Sequence, residues 1–145
     1  MMLANEAATK ALGAALATVL RAGDVVALSG PLGSGKTTLA RAILKALGEE
    51  GEVPSPSFAL VQPYDALVPP VWHADLYRLD DPSELAELGL DEIRAEGVLI
   101  VEWPERAPGA WPDALALSLE PVDGGARCLT VEAPPPWKGR WPLPR

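Results

Sequence analysis

The sequence predicts an α/β fold with a mostly parallel sheet flanked by helices and an antiparallel hairpin near the C-terminus. Three observations carry that prediction. Val25-Val26-Ala27-Leu28-Ser29 is a continuous apolar run succeeded by a glycine-rich turn and then by apolar residues at helical spacing, the order of a buried parallel strand feeding a helix. Val71-Trp72-His73-Ala74-Asp75-Leu76 and Val98-Leu99-Ile100-Val101 are two further strand candidates, the second the most hydrophobic in the chain. Residues 114–120 and 126–132 flank the turn Pro121-Val122-Asp123-Gly124-Gly125, as in a β-hairpin.

Helices and loops fill the spaces between these strands. Leu12, Leu16, Val19 and Leu20 lie on one face of a helix running from about Asn5 to Leu20, which Gly23 closes. After the glycine-rich turn, Leu39, Ala42, Ile43, Ala46 and Leu47 define a second helix from Thr37 to its cap at Gly48. Prolines 54, 56, 63, 69 and 70 forbid a helix between Gly51 and Pro70 and leave an extended loop with a short strand around residues 59–61. Asp81-Pro82-Ser83-Glu84 reads as a helix start, with Leu85 and Leu88 as its apolar side and Gly89 as its end. Five of the last twelve residues are proline, which predicts an extended, non-helical tail. The domain reading is one unit over 1–133 and a Pro/Trp-rich tail over 134–145.

Composition narrows the function. The 145 residues suit one domain, and 48% hydrophobic with 22% charged residues describe a globular rather than a disordered chain. A single cysteine, Cys128, cannot form an internal disulfide, and with His73 as the lone histidine there is no Cys/His zinc site. Hydrolases of the Ser-His or Cys-His type would have to use His73 as base. The net charge of -8 argues against an extended grip on nucleic-acid phosphate, which needs clustered Lys and Arg. No apolar run approaches the ~20 residues of a membrane span and no basic leader precedes an apolar core, so a cytoplasmic protein without membrane contact is expected. Frequent proline with one Asn and one Gln fits either a thermophile or a GC-rich genome.

Gly30-Pro31-Leu32-Gly33-Ser34-Gly35-Lys36-Thr37 meets the phosphate-loop pattern G-x-x-x-x-G-K-[ST] at every fixed position, between a buried strand and an amphipathic helix. Glycines let successive N–H groups turn toward phosphate oxygens, and the helix adds the positive end of its dipole. Lys36 suits the β- and γ-phosphates and the Thr37 hydroxyl suits Mg2+. A dinucleotide fold is excluded, because Gly33-Ser34-Gly35-Lys36-Thr37-Thr38 lacks the third glycine. The metal also needs a carboxylate at the end of a neighbouring strand: Glu102 is the first candidate and Asp75 the second, each alternatively a solvated strand-end acid. His73 shares a strand face with Asp75, and a lone histidine there reads as structural before catalytic. None of Lys10, Lys36, Lys45 or Lys138 is followed two residues on by Asp, so the guanine-reading N/T-K-x-D element is missing. ATP is the preferred nucleotide.

The chain resembles the TsaE (YjeE-type) family, the ATPase component of the machinery that makes N6-threonylcarbamoyladenosine in tRNA. The resemblance rests on the loop 30–38, on Val53-Pro54-Ser55-Pro56-Ser57-Phe58, on His73-Ala74-Asp75-Leu76-Tyr77-Arg78-Leu79, on Glu84 with Leu88-Gly89, and on Leu99-Ile100-Val101-Glu102-Trp103-Pro104-Glu105. It implies a P-loop NTPase-like fold in which Gly33, Ser34, Gly35, Lys36, Thr37 and Thr38 hold phosphate and Thr37 and Glu102 hold Mg2+. It further implies that Asp75 lies near the γ-phosphate, that Ser55-Pro56-Ser57-Phe58 is a switch-like loop, and that Trp103 sits beside the active site. The nucleotide base would lie between Glu6 or Thr9 and Arg127. Pro31, Ser34, Ser57 and Ala74 depart from the family's usual Asp, Ala, Thr and aromatic residue.

The resulting expectation is a Mg2+-dependent ATPase with Lys36, Asp75 and Glu102 as catalytic residues. The resemblance implies partners of the TsaB and TsaD type that stimulate it, with little direct tRNA binding by this chain. No residue is marked as an arginine finger; Arg78 is the in-chain candidate. Two rivals share the loop: a small-molecule kinase, disfavoured because the eight arginines form no lid segment, and a non-hydrolytic ATP switch for partner docking.

Overall fold

The uninterrupted apolar runs occupy the centre of the sheet, since a strand covered on both faces has no polar side to present. The computed structural model describes residues 1–31, 33–51, 53 and 61–141. Its strands are β1 (Met2–Leu3), β2 (Val25–Ser29), β3 (Val61–Tyr64), β4 (Val71–Asp75), β5 (Val98–Glu102), β6 (Leu115–Pro121) and β7 (Arg127–Glu132), in the spatial order β1-β7-β6-β2-β5-β4-β3. The four inner strands β6, β2, β5 and β4 run parallel. Antiparallel strands close both sides: β7 pairs with β6, as the hairpin pattern predicts, and β1, which the pattern does not predict, with β7, while β3 lies beyond β4. Of the short strand expected around 59–61, Val61 lies in β3; residues 54–60, which include the switch-like Ser55-Pro56-Ser57-Phe58, lie outside the described residues.

Strand alternation sends successive side chains to opposite faces. Val26, Leu28, Val98, Ile100, Leu115 and Leu117 meet the helices α1 (Glu6–Ala17) and α2 (Lys36–Ala46) on one side. Val25, Ala27, Leu99 and Val101 meet Leu79, Leu90, Ala107 and Trp111 on the other. Asn5 caps α1, its Oδ1 accepting from the Ala8 amide at 2.9 Å. No helix among the described residues is long and apolar enough to cross a membrane.

Two expectations need correction. The helix expected from Asp81 is a 3-10 turn over Pro82–Leu88, with a separate α-helix, α3 (Leu90–Glu96), opening after it at Gly89. Leu85 and Leu88 stand three residues apart, the spacing that a 3-10 turn aligns on one side, and Asp81 still caps it through the Ser83 amide. The C-terminal stretch is not wholly extended either. Pro135–Trp137 form a 3-10 turn that delivers the Trp137 indole into the core, 1% exposed, with Nε1 donating to the Asp113 carbonyl. Burying so large an apolar ring outweighs the extended preference of the surrounding prolines.

The parallel register aligns the strand ends. Asp75 lies opposite Glu102, and Glu102 opposite Leu28, so the carboxyl ends of β2, β5 and β4 finish side by side. Ligands of open α/β sheets bind at such an edge.

Candidate functional site

Beyond Ser29 the chain turns at Gly30, whose φ of +140° favours glycine; a Cβ there would sit 2.2 Å from the Leu119 carbonyl oxygen. The loop closes on itself through the Ser34 amide and the Pro31 carbonyl. Gly35, at φ +103°, is the N-cap of α2 and makes no side-chain cap bond, which leaves the helix's first amides for an anion. The Ser34 hydroxyl is buried and has no hydrogen-bond partner among the described residues.

Gly33, Ser34, Gly35, Lys36, Thr37, Thr38, Asp75, Glu102 and Arg127 line one cleft of about 390 Å³ together with Tyr77, Arg78 and Trp103. The phosphate-loop residues, both strand-end acids and Arg127 are therefore brought together. Lys36 is 5% exposed. Its Nζ donates to the carbonyls of Gly30 and Pro31 and lies 4.2 Å from the Trp103 ring centroid. Burial pulls the Lys36 pKa below its ordinary value, partly opposed by Glu102, Glu105 and Asp75.

Glu102 ends β5 and is 2% exposed. Its Oε1 accepts from the Thr37 hydroxyl at 2.9 Å, and its Oε2 lies 2.5 Å from His73 Nε2. Asp75 ends β4 and is 7% exposed, with Oδ1 accepting from the Tyr77 amide at 2.9 Å. The next residue after Glu102, Trp103, is the one non-glycine with positive φ among the described residues, at +60°. Its amide donates to the Leu28 carbonyl, and its ring stands 5.0 Å from that of Tyr77, with the Arg106 guanidinium 5.7 Å from the Tyr77 ring centroid.

A second, smaller cleft of about 200 Å³ adjoins the first and is lined by Asn5, Glu6, Thr9, Gly35, Thr38, Gly125 and Arg127. Glu6, Thr9 and Arg127 thus face one space, as the resemblance implies for a base site. Arg127 also braces the loop, donating from Nε to the Ser34 carbonyl at 2.8 Å and from Nη2 to the Gly33 carbonyl at 3.1 Å.

This arrangement suits phosphate: uncapped helix amides, a buried ammonium, and a hydroxyl paired with a carboxylate on the cleft floor. The Thr37 and Glu102 oxygens also fit a hard divalent cation of the Mg2+ type, which takes few protein oxygens and fills its other positions with water and phosphate. Sequence reasoning gives Tyr77 no role and reads His73 as structural before catalytic. Tyr77 carries no signal beyond its place in the motif. The contact of His73 with Glu102 depends on the β4–β5 register, which pairs Asp75 with Glu102 and sets His73 one step back on the same face.

Comparison with known proteins gives a consistent result. The family model described as "Threonylcarbamoyl adenosine biosynthesis protein TsaE" matches residues 3–128. A Rickettsia felis protein named tRNA threonylcarbamoyladenosine biosynthesis protein TsaE is 37% identical over 90% of this chain and 78% of its own length. A Haemophilus influenzae protein of the same name is 42% identical over 62% of this chain. That match spans only 58% of the Haemophilus protein. A crystal structure of YdiB from Bacillus subtilis superposes with a TM-score of 0.77 at 30% identity, covering 92% of this chain and 83% of that one. A match that takes in the phosphate loop, both strand-end acids and Arg127 leaves no ambiguity of kinship: the chain belongs to the TsaE family.

Proposed function

We propose that this protein is a Mg2+-dependent ATP-binding protein and weak ATPase that supports threonylcarbamoyl modification of tRNA adenosine through a partner complex of the TsaB and TsaD type. The observation that carries the reading is the Thr37–Glu102 hydrogen bond of 2.9 Å on the floor of a cleft walled by the phosphate loop. The modification itself is read from the names of the relatives. The net charge of -8 supports a division of labour in which partners carry most of the tRNA contact.

Phosphoryl transfer to water calls mainly for positioning and charge stabilisation. The amides at the start of α2 and the Lys36 ammonium bind the phosphate chain; to do so Lys36 exchanges its bonds to the Gly30 and Pro31 carbonyls for phosphate oxygens. Thr37 and Glu102 would hold Mg2+, which would supply neutralisation of phosphate charge. Asp75 or Glu102 orients the attacking water from the strand ends, while Arg127 keeps the loop in shape and meets the nucleotide on the side of Glu6 and Thr9. Arg78 lines the same cleft and is the in-chain group to assist the leaving phosphate, a part that a partner can also supply.

Hydrolysis of ATP by the isolated chain, measured alone and with purified TsaB and TsaD, tests the reading. Slow turnover that partners raise supports it, and rapid turnover indifferent to partners overturns it. Lys36→Ala should lower turnover at least ~100-fold with the fold intact. Undiminished hydrolysis in that variant removes the loop from the mechanism, and single-turnover hydrolysis with partners separates an ATPase from a docking switch.

A further inference from the structure

His73 is the one imidazole of the chain, wholly buried in β4. Its neighbours on the same sheet face, Val71 and Ile100, are core residues. An aliphatic side chain would fill this place without burying polar atoms, whereas the imidazole leaves Nδ1 buried with no hydrogen-bond partner among the described residues. A buried, unsatisfied nitrogen costs stability. The polar contact that accompanies this cost is the 2.5 Å approach of Nε2 to Glu102 Oε2. A carboxylate only accepts hydrogen bonds, so Nε2–H is the donor.

That bond divides the carboxylate. With Oε2 committed to His73, Oε1 is the oxygen turned to the Thr37 hydroxyl and the cleft. We infer that His73 is a positioning residue for the cation site: it fixes the rotation of the Glu102 carboxylate so that Oε1 is presented beside Thr37. This rests on the proposed reading of Thr37 and Glu102 as the Mg2+ ligands. Groups that orient a ligating side chain typically contribute 10- to 100-fold to metal affinity when removed.

The test is binding, not turnover. Calorimetric titration of a non-hydrolysable ATP analogue over a series of MgCl2 concentrations gives the Mg2+ concentration at which the metal-dependent gain in affinity is half complete. His73→Leu should raise that concentration at least ~10-fold while affinity in excess EDTA stays within about twofold of the wild type. His73→Gln, whose amide nitrogen reaches the place of Nε2, should keep it within about threefold; His73→Asn, polar but too short, should behave as the Leu variant and substitutes for it where Leu does not fold. A changed melting temperature with an unchanged Mg2+ requirement in the Leu or Asn variant assigns His73 to packing and overturns the inference. Wild-type binding indifferent to Mg2+, or a Glu102→Ala variant with the wild-type Mg2+ requirement, instead overturns the underlying assignment of the metal ligands.

Discussion

The two ends of the parallel strands use the same kinds of residue to opposite purposes. Where β2 begins, Asp24 accepts both terminal nitrogens of Arg140, at 2.6 and 3.0 Å, together with the Arg21 amide. The Arg140 guanidinium lies 4.1 Å from the Trp137 ring centroid, and Arg94 bridges Asp113 and the Gly23 carbonyl nearby. Each of these two acids is matched by an arginine fork, leaving the Arg140 Nε over. Where β2 ends, Lys36 bonds carbonyls instead of the acids around it, and Ser34 Oγ has no partner among the described residues. A closed set of fork pairs holds the fold, whereas the opposite end keeps polar capacity for a ligand.

The contrast breaks most visibly at Trp137. Trp137→Ala should cost about 3–5 kcal/mol of unfolding free energy, the range for emptying a buried aromatic site, with nucleotide affinity unchanged in the folded fraction; urea melts alongside calorimetry check it. Arg140→Ala should cost about 3 kcal/mol, because it strands Asp24 in a site where its carboxylate is 8% exposed. A loss restored by adding Asp24→Ala in the double variant would sharpen the assignment to the pair.

At the other end, Arg127→Ala should act the other way round. Nucleotide affinity falls about tenfold as the loop carbonyls of Gly33 and Ser34 lose a charged donor, and the melting temperature barely moves. Equal losses of stability and affinity would erase the distinction between the ends. The smallest effect belongs to Asp113, whose carboxyl the Arg94 guanidinium holds below the ordinary Asp range. A pKa depressed by folding gives stability that is present above the unfolded value and lost as pH falls through the folded one. Stability should therefore decline as pH falls below about 5, less steeply in Asp113→Asn, as a series of urea midpoints against pH would record.

What the sequence discloses divides along similar lines. The phosphate loop and the strands at 25–29, 71–75 and 98–102 are legible because their physics is local: glycines, a lysine and unbroken apolar runs within a few residues. The 3-10 turn at Pro82–Leu88 shares its cap and its apolar spacing with a short helix, so Asp81 and Gly89 could mark its ends but not its type. Trp137 reads from the sequence equally as core or as interface, because its partner, the Asp113 carbonyl, lies 24 residues away, and nothing near a proline announces a distant cavity. His73 and Glu102 are 29 residues apart, and only the register of two parallel strands makes them neighbours.

The margins of the sheet carry a separate consequence. One border is β1, two residues long; the other is β3, whose interior holds Pro63. A proline cannot donate to a ladder, and a strand of two residues offers little to copy. Among the described residues a stranger's strand thus finds no long, regular border to extend, and these margins shield the apolar parallel interior from the chain-to-chain stacking that leads to insoluble aggregates.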